Sequence, residues 1–256
     1  MKKLLSIVLI VMLTMSLSFV ASADLAVPIS AELSAYELYK AANEKMDGKS
    51  LEILGVGEMT MSAGDDIAMK TKMDFTAKVL ENSKGELEMS TVATAEILGE
   101  QIKIEQYFKD GFLYQNAAGE KTKTEAPAIN VARGIAPEKD IPEDFFEDAV
   151  VEEVAGGKRI MIRVSGNYME ELVAGVVDAT SFGLLDEVRF GTATLWLTIG
   201  DDGMMKETAM VFRLSAEIEG ITVRMRSATN MHIVSVGKVH SISFPWDLNS
   251  YELVEI

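Results

Sequence analysis

Long runs in which apolar and polar residues alternate are the dominant feature of this chain. From Ile67 to Val79 the odd positions are mostly apolar, and the even positions are mostly charged or carry hydroxyl groups. The same period of two recurs over residues 86–97, 207–218 and 221–233. Successive side chains of a β-strand point to opposite faces of the sheet. Each run therefore predicts a strand with one buried face.

Short links containing glycine separate these runs, among them Asp110-Gly111, Asp201-Asp202-Gly203 and Glu219-Gly220. Links of this kind form hairpins, so neighbouring strands are expected to be antiparallel. Strands of about 12 to 16 residues extend roughly 40–50 Å. A sheet of such strands has to twist and curl. The pattern predicts a mainly β (α+β) fold, built on a long-stranded, curled antiparallel sheet in the form of a half-barrel.

Two segments with a helical period interrupt the strands. Ser34 and Glu37 have the spacing of a capping box, an apolar stripe follows them, and Gly48 stands where a helix would end. A second helix is expected over about 167–179, with Asn167 as its cap. A loop over 126–147 lies between them and contains three of the five prolines. Pro142 could open a short helix within this loop.

The N-terminus predicts export. Two lysines precede an apolar run over 4–20, and Ala21-Ser22-Ala23 follows it as a cleavage site. Residues 1–23 are therefore interpreted as a signal peptide that is removed, leaving 24–256 as a single domain; an uncleaved anchor is the alternative. We expect a secreted or cell-surface protein with no transmembrane segment in the mature chain.

Charge and composition exclude several classes of partner. Once Lys2 and Lys3 are removed, 22 basic residues face 40 acidic ones, a net charge of −18. Nucleic acids and anionic membranes bind basic surfaces, so neither is an expected partner. The chain has no cysteine, which excludes thiol catalysis, thiolate metal ligands and lipid attachment through a cysteine.

No catalytic or metal-binding motif is present. The two histidines, His232 and His240, are eight positions apart on or near one strand, roughly 26 Å, too far to share a metal ion. Acidic pairs in the turns lack the spacing of a calcium loop. We therefore predict no catalytic residues, no metal site and no cofactor.

Methionine is the informative residue type. Thirteen of the 16 methionines lie beyond the signal peptide, and many fall on the faces predicted to point inward. Methionine is flexible and recurs on surfaces that accept varied apolar partners. On a concave sheet, such side chains would form either a ligand pocket or an ordinary core. The candidate pocket residues are Met59, Met69, Met73, Phe75, Met89, Met210, Phe212, Met225 and Met231, and Phe145 and Phe146 of the loop are a candidate lid.

Two short motifs carry a family resemblance. They are Tyr107-Phe108-Lys109-Asp110-Gly111-Phe112-Leu113-Tyr114 and Phe244-Pro245-Trp246-Asp247-Leu248 with Tyr251 after it. With the helix at the start and the long meander, they resemble a family of uncharacterised secreted proteins and lipoproteins of Gram-positive bacteria. That family is similar in fold to the LolA/LolB carriers and the LppX-type lipid-binding lipoproteins. The resemblance implies helices that cover the concave face of a half-barrel. Many relatives carry a lipidated cysteine that this chain lacks, so it implies no membrane anchor here.

Two functions remain open at this point. The first is an exported non-enzymatic protein that holds an apolar or amphipathic ligand, a lipid or lipopeptide, between sheet and helices. The alternative is a cell-envelope protein–protein interaction module with a filled core and no small-molecule ligand, which would use an exposed sheet face or edge strand.

Overall fold

A single, almost entirely antiparallel sheet of 13 strands organises the described part of the molecule in the computed structural model. The structure describes residues 33–63, 66–97, 100–125, 143–169, 186–218 and 221–254. The predicted signal peptide 1–23, residues 126–142 of the predicted loop and most of the predicted second helix lie outside these ranges. The strands are β1 Leu51–Ala63, β2 Asp66–Glu81, β3 Leu87–Ile97, β4 Glu100–Lys109, β5 Phe112–Ala117, β6 Glu120–Glu125, β7 Val150–Val154, β8 Gly157–Val164, β9 Asp186–Phe190, β10 Ala193–Gly200, β11 Met205–Ile218, β12 Ile221–Val236 and β13 Glu252–Leu253.

The strand order is β13-β6-β5-β4-β3-β2-β1-β12-β11-β10-β8-β7, with β9 paired to β11 beside this path. Strands β1 to β6 run from the centre of the sheet to one edge. The chain then reaches the opposite edge at β7 and returns to the centre at β12. The central pairing joins β1 to β12 along nearly their whole length. The described strands form a curled sheet that does not close, so the predicted half-barrel class is confirmed.

The long alternating runs form the long strands. The runs at 67–79 and 221–233 lie in β2 and β12, which are 16 residues each, and the run at 207–218 lies in β11, which has 14. On these strands the apolar set points to one face, called here the inner face, and is buried, whereas lysines, arginines and glutamates occupy the outer face. The faces predicted from the alternation are therefore correct wherever the side chains are described.

The strand segments β9 and β10 pair with the same strand, β11. Phe190 and Thr194 are four positions apart, whereas their partners Leu214 and Val211 are three positions apart. One extra residue is thus inserted between the two segments, as in a β-bulge. Gly191 lies at this insertion and donates its backbone N–H to the carbonyl of Arg213 at 2.8 Å. An insertion of this kind generally bends the strand that carries it.

Helix α1, Ala35–Glu44, begins as predicted. Ser34 accepts a hydrogen bond from the backbone of Glu37 at 3.2 Å, and the Glu37 carboxylate accepts one from the Ser34 backbone at 2.8 Å. These bonds hold the pKa of Glu37 below its ordinary value. The helix buries Leu38, Tyr39 and Ala42 in the core cluster of the inner face. It ends at Glu44, and Gly48 follows with φ 64°.

The second predicted helix begins earlier than expected. Residues 166–169 are helical, and Ser165 caps them by accepting a hydrogen bond from the Tyr168 backbone at 3.4 Å. The predicted cap, Asn167, is therefore wrong. Ser165 and Asn167 are both residue types that can cap a helix. Between them, Gly166 lies directly against the Phe190 carbonyl, and a β-carbon at that position would collide with it. Residues beyond Met169 in this prediction lie outside the described ranges.

The C-terminal segment, residues 237–254, crosses the outer face of β4–β6. Phe244 packs edge-on against Tyr107 at 6.2 Å between ring centroids, and Tyr251 against Tyr114 at 5.5 Å. Strand β13 then pairs in parallel with β6. Burial raises the pKa of Tyr107. The two motifs that carried the family resemblance are therefore in direct contact.

Candidate functional site

The candidate pocket residues all lie on the inner face of the sheet. Eight of the nine are at most 6% exposed, and Met69 is half-buried. Those eight belong to the core cluster that also contains the buried side of α1, and Met69 packs against that cluster. The structure thus brings the predicted set together on one surface, and its use as a ligand pocket stays a prediction.

The register arranges these side chains in rows that cross neighbouring strands. Met59 is opposite Ser227, which is opposite Phe212. Two residues further along the strands, on the same face, Met73, Gly57, Thr229 and Met210 form a second row. Gly55 and Gly57 leave β1 without side chains in the middle of the inner face. Phe75 uses this space, because its ring lies over Gly55 on the opposite strand.

A methionine row marks one end of the inner face. Met69, Met61 and Met225 are opposite one another on β2, β1 and β12, and the row continues through Leu214 to Phe190. Met61 and Met69 are half-buried, unlike the fully buried residues beneath α1. Met225, Leu214 and Phe190 also border an open cleft of about 490 Å³, whose other lining residues include the outer-face side chains of Arg213 and Arg226. On the inner face itself, the apolar surface is least covered at Met61 and Met69.

The inner face also carries polar side chains, which the methionine pattern did not single out. Gln106 on β4 lies between Thr91 on β3 and Gln115 on β5. Gln106 and Thr91 are 0% exposed, and within the described part of the chain neither the Gln106 amide nor the Thr91 hydroxyl has a hydrogen-bond partner. Buried polar groups are normally paired. This patch could accept hydrogen bonds from water or from the polar part of a ligand.

The candidate lid residues pack against α1. Glu143–Phe146 form a short 3-10 helix, as Pro142 led us to expect. The Phe146 ring is 6% exposed and lies 5.5 Å from the Tyr36 ring and 5.1 Å from the Tyr39 ring. Phe145 packs against Tyr168 with the two rings tilted and their centroids 4.7 Å apart. Burial is the main cause that raises the pKa of Tyr39. These rings join the start of both helices into one aromatic cluster; a lid motion stays a prediction.

The histidines and turn aspartates that could serve as metal ligands are dispersed. His232 and His240 are both exposed. Asp202 caps its turn by accepting a hydrogen bond from the Met204 backbone at 3.0 Å, and it pairs with Lys206, which lowers its pKa. Within the described ranges, no group of three histidine, aspartate or glutamate side chains could hold a metal ion. In the same part of the chain, no helix is long and apolar enough to cross a membrane.

Comparison with known proteins gives only distant likenesses. No family model matches the chain, and no curated protein matches it. Among solved structures it is similar to LprF from Mycobacterium bovis, at 13% identity over 75% of this chain and 90% of that one, with a TM-score of 0.34. A structure of lipovitellin, solved for its lipid–protein interactions, gives 10% identity over 77% of this chain and 26% of that one, with a TM-score of 0.31.

A third similar structure is a domain from Vibrio parahaemolyticus that carries the name of an outer membrane lipoprotein-sorting protein. It gives 8% identity over 78% of this chain and 89% of that one, with a TM-score of 0.20. Likenesses at this level show no family. The class of protein is set by this chain's own architecture, an open antiparallel half-barrel with a helix on its inner face, and its function has to be argued from its own residues.

Proposed function

We propose that this chain is an exported, non-enzymatic binding protein that holds an apolar or amphipathic ligand, a lipid or lipopeptide, between the curled sheet and the helices. The methionine row carries the proposal. Its members Met61 and Met69 are half-buried, so the buried apolar surface of the inner face is partly open to solvent at this end. A surface of flexible, polarizable side chains can fit acyl chains of different shapes. The signal peptide predicted from the sequence supports export.

The arrangement of the described residues gives no catalytic centre to set against this proposal. Some carboxylates of the outer face form cross-strand ion pairs, such as Glu58 with Lys70 at 2.8 Å and Glu52 with Lys78 at 3.4 Å. Hydrophobic burial on the inner face would provide the driving force, at about 25 cal/mol for each Å² of apolar surface removed from water.

The test is native mass spectrometry of residues 24–256 purified from an exporting host, with organic extraction of whatever co-purifies. We expect a stoichiometric apolar adduct. Met61→Gln with Met69→Gln, which makes the half-buried end of the row polar, should reduce its occupancy several-fold. Met73→Gln with Met225→Gln tests the buried part of the same surface, provided that circular dichroism shows a native fold.

The matched control lies on the outer face of the same two strands. Leu54 and Thr76 are opposite each other there, so Leu54→Gln with Thr76→Gln changes the same strands without changing the inner face. Its adduct should equal that of the unmodified protein. An adduct-free protein that also fails to bind added fatty acids, phospholipids and lipopeptides would exclude the carrier function.

A second candidate function rests on the outer face. Leu54, Val56 and Val234 are 45%, 52% and 50% exposed there, and Val56 borders a groove of about 440 Å³. Exposed apolar side chains grouped on one face are typical of protein-binding surfaces. A cell-envelope interaction module would thus use this face. It would lose its partner in the Leu54→Gln, Thr76→Gln variant and keep it in the Met61→Gln, Met69→Gln variant.

A further inference from the structure

Uncharged polar side chains form a row across the inner face of β3–β6, called here the polar row. It consists of Thr91, Gln106, Gln115 and Thr122, each directly opposite the next on the neighbouring strand. Thr91 and Gln106 are 0% exposed, Gln115 is 7% exposed, and Thr122 is half-buried. The polar row is thus sealed from solvent at β3 and β4 and becomes more accessible toward β6, near the edge of the sheet.

The hydrogen-bonding atoms at the buried end of the polar row are unpaired. In the part of the chain that the structure describes, Nε2 and Oε1 of Gln106 and Oγ1 of Thr91 have no hydrogen-bond partner. The β-carbons of two directly opposite residues are about 5 Å apart, yet this amide and this hydroxyl do not bond to each other. Buried polar groups without a partner destabilise the folded state. A bound hydrogen-bonding group would remove this unfavourable contribution.

Apolar side chains flank the polar row on both sides. The neighbouring rows on the inner face of β2–β5 are Phe75, Ala93, Ile104 and Ala117 on one side, and Val79, Met89, Phe108 and Leu113 on the other. All eight belong to the core cluster or pack against it. The polar row therefore interrupts an apolar surface. In such surroundings a hydrogen bond is electrostatically stronger than in water.

The described ranges contain no buried charge that could neutralise a charged ligand group at this place. Their buried polar side chains are all asparagine, serine, threonine or glutamine. A charged group brought to the polar row would lose its hydration without gaining an opposite charge, which is strongly unfavourable. The polar row therefore favours a ligand group that is uncharged.

The donors and acceptors of the polar row define that group more closely. The Gln106 amide presents two N–H donors and a carbonyl acceptor, and the Thr91 hydroxyl can donate or accept. A hydroxyl or an amide on the ligand both donates and accepts, so it can satisfy Nε2 and Oε1 of Gln106 together. An ester only accepts, and it would leave Oε1 without a donor.

We propose that the polar row binds an uncharged ligand group that both donates and accepts hydrogen bonds, while the apolar part of the ligand lies against the flanking rows. This inference rests on the proposed function. It adds the chemistry of the polar part of the ligand, which that function leaves open. A lipid hydroxyl and the amide of a lipopeptide share this chemistry, and separate probes distinguish them.

The experiment measures how four ten-carbon compounds displace the uncharged fluorescent probe N-phenyl-1-naphthylamine from residues 24–256. The compounds are 1-decanol, decanamide, decanoate and 1-chlorodecane. Each compound is compared between protein variants, because the compounds differ in their own transfer from water. Gln106→Met with Thr91→Val should weaken the binding of 1-decanol and decanamide at least about fivefold, since it removes their hydrogen bonds to the protein. It should leave decanoate and 1-chlorodecane unchanged, because neither bonds to the polar row.

The matched control changes the same residue types on the outer face of the same two strands. Thr94 on β3 and Gln101 on β4 are exposed there, so Thr94→Val with Gln101→Met should leave all four affinities unchanged. The inner-face variant should fold, because valine and methionine are close in size to the residues that they replace and remove unpaired groups. If it does not fold, Thr91→Val alone tests the hydroxyl, with an expected loss of about twofold for the same two compounds.

The outcomes separate the polar row from the proposed function. A selective loss for 1-decanol or for decanamide would support the polar row and identify which group it takes. Displacement by all four compounds that Gln106→Met with Thr91→Val leaves unchanged, or weakens equally, would overturn the polar row and leave the proposed function standing. The same result with reduced thermal stability would assign these groups to a buried water instead. A selective loss for decanoate would also overturn the uncharged assignment. Failure of the probe and of every compound to bind would contradict both.

Discussion

The ring of Phe75 lies across Gly55 on the opposite strand and fills the space that a β-carbon on residue 55 would need. Phe75 is 4% exposed, so its ring has little freedom to move aside. Gly55→Ala should therefore lower the free energy of unfolding by about 1–3 kcal/mol, the cost of overpacking a filled core. Chemical denaturation measures it. In a Phe75→Leu background the same substitution should cost much less, and equal costs in both backgrounds would disprove the contact.

Two hairpin turns of similar backbone geometry differ in the residue at their first position, which is Asp110 in one and Ala118 in the other. Asp110-Gly111 and Ala118-Gly119 each have two successive residues with positive φ, and the first is at 52° and 53° respectively. Aspartate and asparagine tolerate this left-handed conformation, whereas alanine does not favour it. Ala118→Asn should raise the free energy of unfolding by about 0.5–1 kcal/mol, and Asp110→Ala should lower it by a similar amount. An unchanged midpoint for both variants in urea would contradict the explanation.

Alternation along the sequence predicted the faces of β2, β3, β11 and β12 because the period of a strand is a local property. It could not predict register, which depends on how strands pair. The pairing of Arg213 with Arg226 therefore could not be predicted, although each arginine lies in a run whose alternation was recognised. For the same reason, the sequence could not predict the contact between Tyr107 and Phe244, although the two motifs that contain them were both identified.

The sequence also left helix starts ambiguous. Ser34 was identified correctly because Glu37 completes a reciprocal capping box. Near residue 167, two cap-forming residues compete, and the structure uses Ser165, next to Gly166, where a β-carbon would collide with the Phe190 carbonyl. The candidate pocket residues were predicted to share a face, and they do, but the polar patch around Gln106 was missed because one glutamine in an alternating strand resembles any exposed residue.

Gln106 tests whether the inner-face polar groups are unpaired. Its amide is buried and has no partner within the described residues, and an unpaired buried polar group costs about 1–3 kcal/mol. Gln106→Met, of similar volume, should therefore raise the free energy of unfolding of ligand-free protein by about 1 kcal/mol or more. Thr94→Val on the exposed face of β3 is the control and should have little effect. A loss of stability in Gln106→Met would mean that the amide is hydrogen-bonded, for example to water.

Phe146 couples the 3-10 helix to α1 through its contacts with Tyr36 and Tyr39. Phe146→Ala should lower the free energy of unfolding by about 3 kcal/mol, since it removes a buried aromatic ring. Phe145→Ala, at a half-buried neighbour, is expected to cost less. Hydrogen exchange should show the amides of α1 losing protection in Phe146→Ala before those of β1. Uniform loss in both elements would mean that α1 is not a separate unit.

The C-terminal segment should respond to acid. The hydrogen bond from Lys121 is the main cause that holds the pKa of Asp247 below its ordinary value of 3.8, and Ser250 adds to it. A carboxyl group with a lowered pKa stabilises the folded state above its ordinary pKa, and this contribution is lost as the pH falls through the lowered value. Protection of the Val254 amide, which donates to the Lys123 carbonyl, should therefore decrease as the pH drops below about 4.

Asp247→Asn separates this effect from general acid unfolding. The variant should show low protection of the Val254 amide already at pH 7 and little further change on acidification, while the amides of β1 stay protected. Asp144→Asn removes an exposed carboxylate of the 3-10 helix, distant in sequence from Asp247, and should behave as the parent does. If Asp247→Asn kept full protection at pH 7, the ion pair with Lys121 would not hold the segment.

The sheet that does not close has two edges, and they are protected in different ways. At one edge the last residues of the chain, β13, cover β6. At the other, β7 presents exposed Val150 and Val151, followed by Glu152 and Glu153. Acidic side chains on an edge strand discourage pairing with a second molecule. An open sheet leaves its edge strands available for pairing with a second molecule. In the described part of this chain, a covering segment at one edge and two acidic side chains at the other oppose such pairing.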